Sequence, residues 1–215
     1  RRRKVLLFCS LGLNLGLLAW FKYAGFFAYN ASRLLSSVGV SWTPVLPDIL
    51  LPVGISFYTF QTLSYTIDVY RRQLKPADSA LDYALYVTFF PQLVAGPIVR
   101  AKGFLKQCRH EVPFSSEAFG YGMFLLVLGL FEKLVIADGF MAPVVESIFS
   151  EQEGVGFRDA WVGTMAFAGQ IFCDFAGYST CAIGTARCLG FELPVNFRFP
   201  YAARGFSDFW KRWHI

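Results

Sequence analysis

Charge is scarce in this chain. Only 16% of its 215 residues are Asp, Glu, Lys or Arg, whereas soluble domains run near a quarter. That shortfall excludes an ordinary water-soluble globule, and the apolar residues, 55% of the total, fall in blocks as membrane spans do. Histidine is scarcer still, with only His110 and His214. The five cysteines, Cys9, Cys108, Cys173, Cys181 and Cys188, contain no metal-like CxxC pair, and no metal site is expected. Their odd number argues against a disulfide framework. Nothing near Cys173, Cys181 or Cys188 would lower a thiol pKa, so small apolar packing is the expected role, not carriage of an acyl group. Internal repeats, low-complexity tracts and linkers are also missing, so residues 1–215 read as a single incomplete domain.

Aromatic residues are abundant, at 18%, and suit interfacial belts and the walls of apolar cavities. The net charge of +5 comes from Lys and Arg clustered between the apolar blocks. That placement reads as loop charge that orients a membrane protein and not as a nucleic-acid surface. The basic start, Arg1-Arg-Arg-Lys4, precedes an apolar run too long for a signal peptide, so a retained span is expected over residues 5–27. Gly12 and Gly16 within it have the small-xxx-small spacing of a helix contact. Residues 29–47 carry turn formers and read as a loop. A second span follows over 48–69, with Ser56, Thr59, Gln61, Thr62 and Ser64 forming a polar stripe that should face protein or water. Further spans are expected at 117–138 and 161–183, joined by an acidic outer loop at 139–159. Asp68 should cap or pair with Arg71 or Arg72.

The block 81–99 cannot be a plain span. Pro91, Gly96 and Pro97 interrupt it, and such backbone survives at membrane depth only against protein or a wet cavity. Basic residues flank it on both sides (Arg71, Arg72 and Lys75 before; Arg100, Lys102, Lys106 and Arg109 after). Both flanks then lie in the cytoplasm, and the block enters and leaves on one side as a re-entrant segment. The same rule puts the N-terminus inside and has His214 approached from the inner side.

Three stretches carry more than hydropathy. They are Leu51-Pro-Val-Gly-Ile-Ser-Phe-Tyr-Thr-Phe-Gln-Thr-Leu-Ser-Tyr-Thr-Ile-Asp-Val-Tyr70, Phe89-Phe-Pro-Gln-Leu-Val-Ala-Gly-Pro-Ile-Val-Arg100, and Asp174-Phe-Ala-Gly-Tyr-Ser-Thr-Cys-Ala-Ile-Gly184 running through Asn196-Phe-Arg-Phe-Pro-Tyr201 to Phe209-Trp-Lys-Arg-Trp-His214. Together, and in this order, they resemble the membrane-bound O-acyltransferase family in its bacterial alginate O-acetyltransferase branch. The resemblance covers most of the chain from about residue 46 onward.

The resemblance implies an all-α, polytopic protein of the bacterial inner membrane, a multi-helix bundle around a central funnel. It implies transfer of an acyl group, most simply acetyl, towards an extracytoplasmic polysaccharide hydroxyl. No bound cofactor is expected, and acetyl-CoA or another acyl carrier serves as donor substrate. Expected partners are membrane lipid, the donor, the polysaccharide and extracytoplasmic acetyltransferase proteins, with no nucleic acid. Family members carry a histidine or asparagine where His214 stands. They carry a second, invariant histidine in a later apolar span, so the chain reads as a fragment whose active site continues beyond Ile215.

Imidazole titrates near neutral pH and can act in acyl transfer. His214 is therefore the candidate catalytic residue, against the plainer reading of an interfacial histidine that only hydrogen-bonds a neighbour. Trp210 and Trp213 could supply stacking walls. Arg204 and Arg212 could meet donor phosphates or a carrier's acidic face, or simply snorkel to the interface. Gln92 reads as part of a re-entrant turn or as a donor contact. Asp174 and Tyr178 are polar groups inside a span, either functional or hydrogen-bonded for structure. A transporter with broken helices is the competing reading, though no second broken half repeats the first.

Overall fold

A computed structural model describes residues 2–45, 47, 49–93, 96–109, 113–150 and 154–215. His110, the expected start of the second span at Asp48, and Glu151 and Glu153 of the acidic loop lie outside the described residues. Besides a 3-10 turn at Pro200–Ala202, eight helices are described: α1 (Arg2–Ser37), α2 (Ile55–Tyr70), α3 (Ala80–Thr88), α4 (Phe90–Leu93), α5 (Ala101–Cys108), α6 (Ser116–Phe149), α7 (Phe157–Cys188) and α8 (Phe206–Trp210). Among the described residues the only extended pairing is an isolated antiparallel bridge. The chain is thus all-α, and it divides into two compact units, residues 1–89 with 100–108, and 90–99 with 109–215.

In the first unit α1 runs antiparallel to α2. Its Arg3 guanidinium donates to the Tyr70 carbonyl at 2.9 Å, Ser10 and Thr66 hydroxyls meet at 3.3 Å, and Lys22 Nζ reaches Ser56 Oγ at 3.3 Å. Arg3 therefore places a cation on the carbonyl end of α2, the sign the helix dipole favours. The first span is longer than its hydropathy suggested. No proline or glycine interrupts residues 26–38, so the helix continues through a π-helical stretch (Ala19–Tyr23) and stops at Gly39, which adopts φ 83°. At 36 residues α1 is about 54 Å long, well over the ~30 Å hydrocarbon core. Among the described residues Gly12 and Gly16 make no helix contact: a Cβ on either would meet nothing within 4 Å.

The polar stripe of α2 turns inward in part: Ser56 and Thr62 are half-buried and Ser64 is exposed. Thr59 and Gln61 are buried, and Thr62 returns its hydroxyl to the Tyr58 carbonyl at 2.7 Å. No ion pair joins Asp68 to Arg71 or Arg72 among the described residues. Its backbone carbonyl instead accepts the N–H groups of Gln73 and Leu74, at 2.9 and 3.3 Å, which closes the helix. Tyr86, Phe89 and Phe104 form the aromatic core of this unit, with Phe104 ring centroids 5.7 Å from Tyr86 and 5.0 Å from Phe89.

The block at 81–99 is broken as its prolines and glycine require. Helix α3 begins at Ser79, whose hydroxyl caps Leu81 and Asp82, and ends at Thr88, with Phe89 extended. Pro91 has no N–H to return to the preceding turn and its ring would crowd it. Within the second unit Gly96 folds back over α4. A Cβ there would lie 2.6 Å from Gln92 Cα and 2.8 Å from the Pro91 carbonyl oxygen.

Helices α6 and α7 dominate the second unit and run antiparallel. Four glycines, Gly122 and Gly129 on α6 and Gly184 and Gly177 on α7, bring the two backbones together. A Cβ on Gly122 would lie 2.7 Å from the Gly184 carbonyl oxygen, and one on Gly184 would lie 2.6 Å from that of Gly122. Cys181 and Cys188 donate thiols to the carbonyls of Leu126 (3.5 Å) and Phe119 (3.6 Å) across this contact, the packing role expected of them. Helix α6 does not end at Asp138: it widens into π-helical turns (Phe131–Met141) and continues to Phe149. Pro143 lacks an amide hydrogen, and the π turns just before it re-pair the ladder around that loss. Residues 139–149 are therefore helix, and the acidic loop is shorter than its composition implied.

Candidate functional site

Helix α7 ends at Cys188. Gly190 follows at φ 82°, and the Phe191 N–H reaches back to the Ala186 carbonyl at 2.8 Å, a glycine-terminated helix end. The chain then folds back along α7. Residues 196–198 pair with 212–215: the Arg198 N–H donates to the Arg212 carbonyl at 2.9 Å, the Ile215 N–H donates to the Asn196 carbonyl at 3.0 Å, and Phe197 and Trp213 form the antiparallel bridge. Between the two arms, Phe199 turns at φ 47°. The Tyr201 hydroxyl anchors that turn to the Ala168 carbonyl of α7 at 2.7 Å.

Aromatic rings fill the space between this clasp and α7. Trp213 lies 5.0 Å from Phe197, 5.5 Å from Phe209, 6.1 Å from Phe172 and 6.2 Å from Tyr201, centroid to centroid. Trp213 thus packs the clasp. The His214 ring sits 4.8 Å from Phe175 of α7. Its Nδ1 is 2.8 Å from Asn196 Oδ1, and the Asn196 amide nitrogen donates to Ser179 Oγ at 2.7 Å. Asn196 and Ser179 are buried, at 1% and 2% exposure, while His214 is half-buried. Burial holds the imidazole below its ordinary pKa, because desolvation disfavours the charged form. The site therefore holds an imidazole of lowered pKa on a buried amide.

Asp208 holds one cation of the segment, Arg212, and the backbone of another, Arg204. Its carboxylate accepts the Arg212 Nε–H at 2.8 Å and the Arg204 backbone N–H at 3.1 Å. The Arg212 bond first, then the Arg204 N–H, lowers the Asp208 pKa. The Arg204 side chain is exposed, as is Trp210, at 65%.

Other expected site residues fall elsewhere. Asp174 forms an ion pair with Lys133 of α6 at 2.5 Å, Lys133 also holds Asp138 at 2.8 Å, and its ammonium lies 5.6 Å from the centre of the Tyr178 ring. Asp174 and Tyr178 thus turn towards α6, whereas Phe175 and Ser179, one residue further along in each case, turn towards the clasp. Gln92 is buried on α4, which packs against α7. Sequence reasoning gave no role to Asn196, Ser179 or Lys133. Asn196 stands at the head of a motif already singled out, and a charged Lys133 inside an apolar run was the available signal for the other cluster.

Among the described residues α1 and α6 are long and apolar enough to cross a membrane, and a half-buried imidazole is docked on α7: the class is an all-α membrane protein with a titratable site. Residues 72–215 match the model of the membrane-bound O-acyltransferase family. The chain is 37% identical to a probable alginate O-acetylase AlgI of Pseudomonas putida over 209 residues, 97% of this chain and 42% of that protein. It is 33% identical to a peptidoglycan O-acetyltransferase of Helicobacter pylori, over 99% of this chain and 44% of the relative. It is 29% identical to a teichoic acid D-alanyltransferase of Streptococcus thermophilus, over 76% and 40%. The chain belongs to the membrane-bound O-acyltransferase family. It spans about two fifths of the length of these curated relatives.

Proposed function

We propose that the protein is a multi-pass O-acyltransferase of the bacterial inner membrane that moves acetyl groups towards an extracytoplasmic polysaccharide. The observation that carries this reading is the placement of His214, half-buried against Phe175 and tied to the buried Asn196 amide within the family-matched region. The named activities of the alginate and peptidoglycan relatives supply the acetyl group and the glycan acceptor. A thioester donor, acetyl-CoA or another acyl carrier, fits the chemistry. The acceptor hydroxyl oxygen forms an ester bond, the carbon–sulfur bond breaks, and the hydroxyl proton ends on the departing thiolate. His214 orients the hydroxyl as a hydrogen-bond acceptor. Arg204 and Trp210, both exposed, supply the donor-facing charge and ring. The immediate acceptor is a hydroxyl of an extracytoplasmic acetyltransferase protein; the polysaccharide hydroxyl then takes the acetyl from that ester, whose C–O bond breaks, and its proton returns to the protein's hydroxyl. The broken block at 81–99 serves as a re-entrant segment, and the two compact units act as one acyltransferase domain.

The test is acetyl transfer in membranes containing the full-length protein, with His214→Ala as comparison and glycan acetylation as readout. Loss of transfer with unchanged membrane accumulation is expected. Undiminished transfer in the variant would remove His214 from the reaction. Transport of a solute without acetylation would restore the transporter reading, which family membership disfavours.

A further inference from the structure

We propose that Asn196 is a positioning residue for His214: it holds the imidazole with its hydrogen on Nδ1 and leaves Nε2 as the acceptor nitrogen offered to substrate. This inference rests on the reading of His214 as an active-site residue and deepens it. The Asn196 amide is held at both ends. Its nitrogen donates to Ser179 Oγ at 2.7 Å, which turns its oxygen to His214 Nδ1 at 2.8 Å. An amide oxygen only accepts, so Nδ1 must donate, and a neutral imidazole with one hydrogen then presents a lone pair at Nε2. Among the described residues Nε2 has no hydrogen-bond partner, while the Phe175 ring packs on the imidazole. The amide engages Nδ1 alone and so assigns Nε2 as the nitrogen to meet a substrate hydroxyl.

The arrangement is also fixed in space. The Asn196 carbonyl holds the Ile215 N–H at 3.0 Å, so one residue grips both the side chain of His214 and the backbone just after it. Asn196 is 17 residues from Ser179 and 18 from His214, so it transfers the position of α7 to the imidazole. Buried polar groups that are fully satisfied in this way specify one geometry. Without the amide, the ring could turn over and exchange its two nitrogens.

The test uses the full-length protein in membranes and steady-state acetyl transfer. Asn196→Leu keeps the shape and loses the acceptor. It should lower kcat about tenfold or more, as loss of a tautomer-fixing partner does elsewhere, with KM nearly unchanged. Asn196→Asp keeps an acceptor that can only receive the Nδ1 hydrogen, and should recover most of that loss. In a His214→Ala background, Asn196→Leu should cost nothing further, because residues acting through one another are not additive. Should Asn196→Leu fail to accumulate, Ser179→Ala decides: a several-fold fall in kcat supports the proposal and wild-type kcat overturns it. Wild-type activity in Asn196→Leu, equal loss in the Leu and Asp variants at normal accumulation, or multiplicative losses with His214→Ala would each overturn it. Full activity in His214→Ala would sink the reading of His214 itself, a separate result.

Discussion

Gly129 and Gly177 meet backbone to backbone: a Cβ on Gly129 would lie 2.5 Å from the Gly177 carbonyl oxygen, and one on Gly177 would lie 2.7 Å from that of Gly129. Neither backbone can withdraw without separating α6 from α7. Gly129→Ala should therefore cost about 1–3 kcal/mol, the range for overpacking a tight contact. Gly12→Ala, which meets open space, should be neutral or slightly stabilising through helix propensity. Thermal unfolding of the detergent-solubilised protein compares the two, and equal midpoints would contradict the close contact.

His214→Asn separates orientation from proton transfer. Asparagine offers a hydrogen-bonding oxygen but cannot take a proton near neutral pH. With an orienting role, His214→Asn should retain much more turnover than His214→Ala. With proton transfer, both should fall alike, by the ~10²–10⁴-fold typical of general acid–base catalysis. Turnover of the two variants at matched membrane levels decides, and the orienting role is the expected result.

The direction of the His214 shift sets the acid limb. Burial lowers its pKa, so the neutral ring is favoured over the charged one relative to an ordinary histidine. Activity that needs the neutral ring is complete above the ordinary histidine range and is lost as pH falls through the lowered value. Burial is the cause of the shift, and Arg212, two residues before His214, is itself paired with Asp208. The acid limb of kcat/KM should lie below the ordinary histidine value of about 6.5. A His214-dependent limb above that value would mean that a charged ring is the working form.

Lys133 is held by two carboxylates, Asp138 and Asp174, and is about one-fifth exposed. Lys133→Met leaves both acids without their cation. The cost should be about 1–3 kcal/mol, between the surface and buried limits for ion pairs. Adding Asp174→Leu should recover part of it. A double variant no more stable than Lys133→Met would show that the Lys133–Asp174 pair carries no net coupling.

Cysteines placed at Lys75 and Lys102 test the broken block. If 81–99 enters and leaves on one side, neither should react with an impermeant thiol reagent applied outside intact cells. Labelling of one alone would mean that the block crosses the membrane.

Local chemistry made some of this legible in the sequence. The break at 89–99 was readable because proline and glycine act on their own neighbours, and the buried face of α2 because Thr59 and Gln61 are costly to leave in lipid. Helix ends were less readable. Residues 29–37 carry Ser and Asn and 139–149 carry Gly, Pro and Ser, which resemble turns; the first stretch has no proline or glycine to stop its helix, and π turns at Phe131–Met141 accommodate Pro143 in the second. The glycine contact was missed because a seven-residue spacing on two distant helices has meaning only once they are paired. Asn196 was visible as part of a motif, yet its partners lie 17 and 18 residues away, beyond any local pattern.

The four glycine contacts also set the rotational angle of α7. Asp174 and Phe175 are consecutive, so they point about 100° apart around the helix axis, one to Lys133 and the other to His214. A turn of the helix by a single residue would swing the ion pair towards the imidazole's place. Backbone pressed on backbone leaves no clearance for that turn, so α7 behaves as a keyed shaft whose orientation on the α6 side dictates where the imidazole stands on the other.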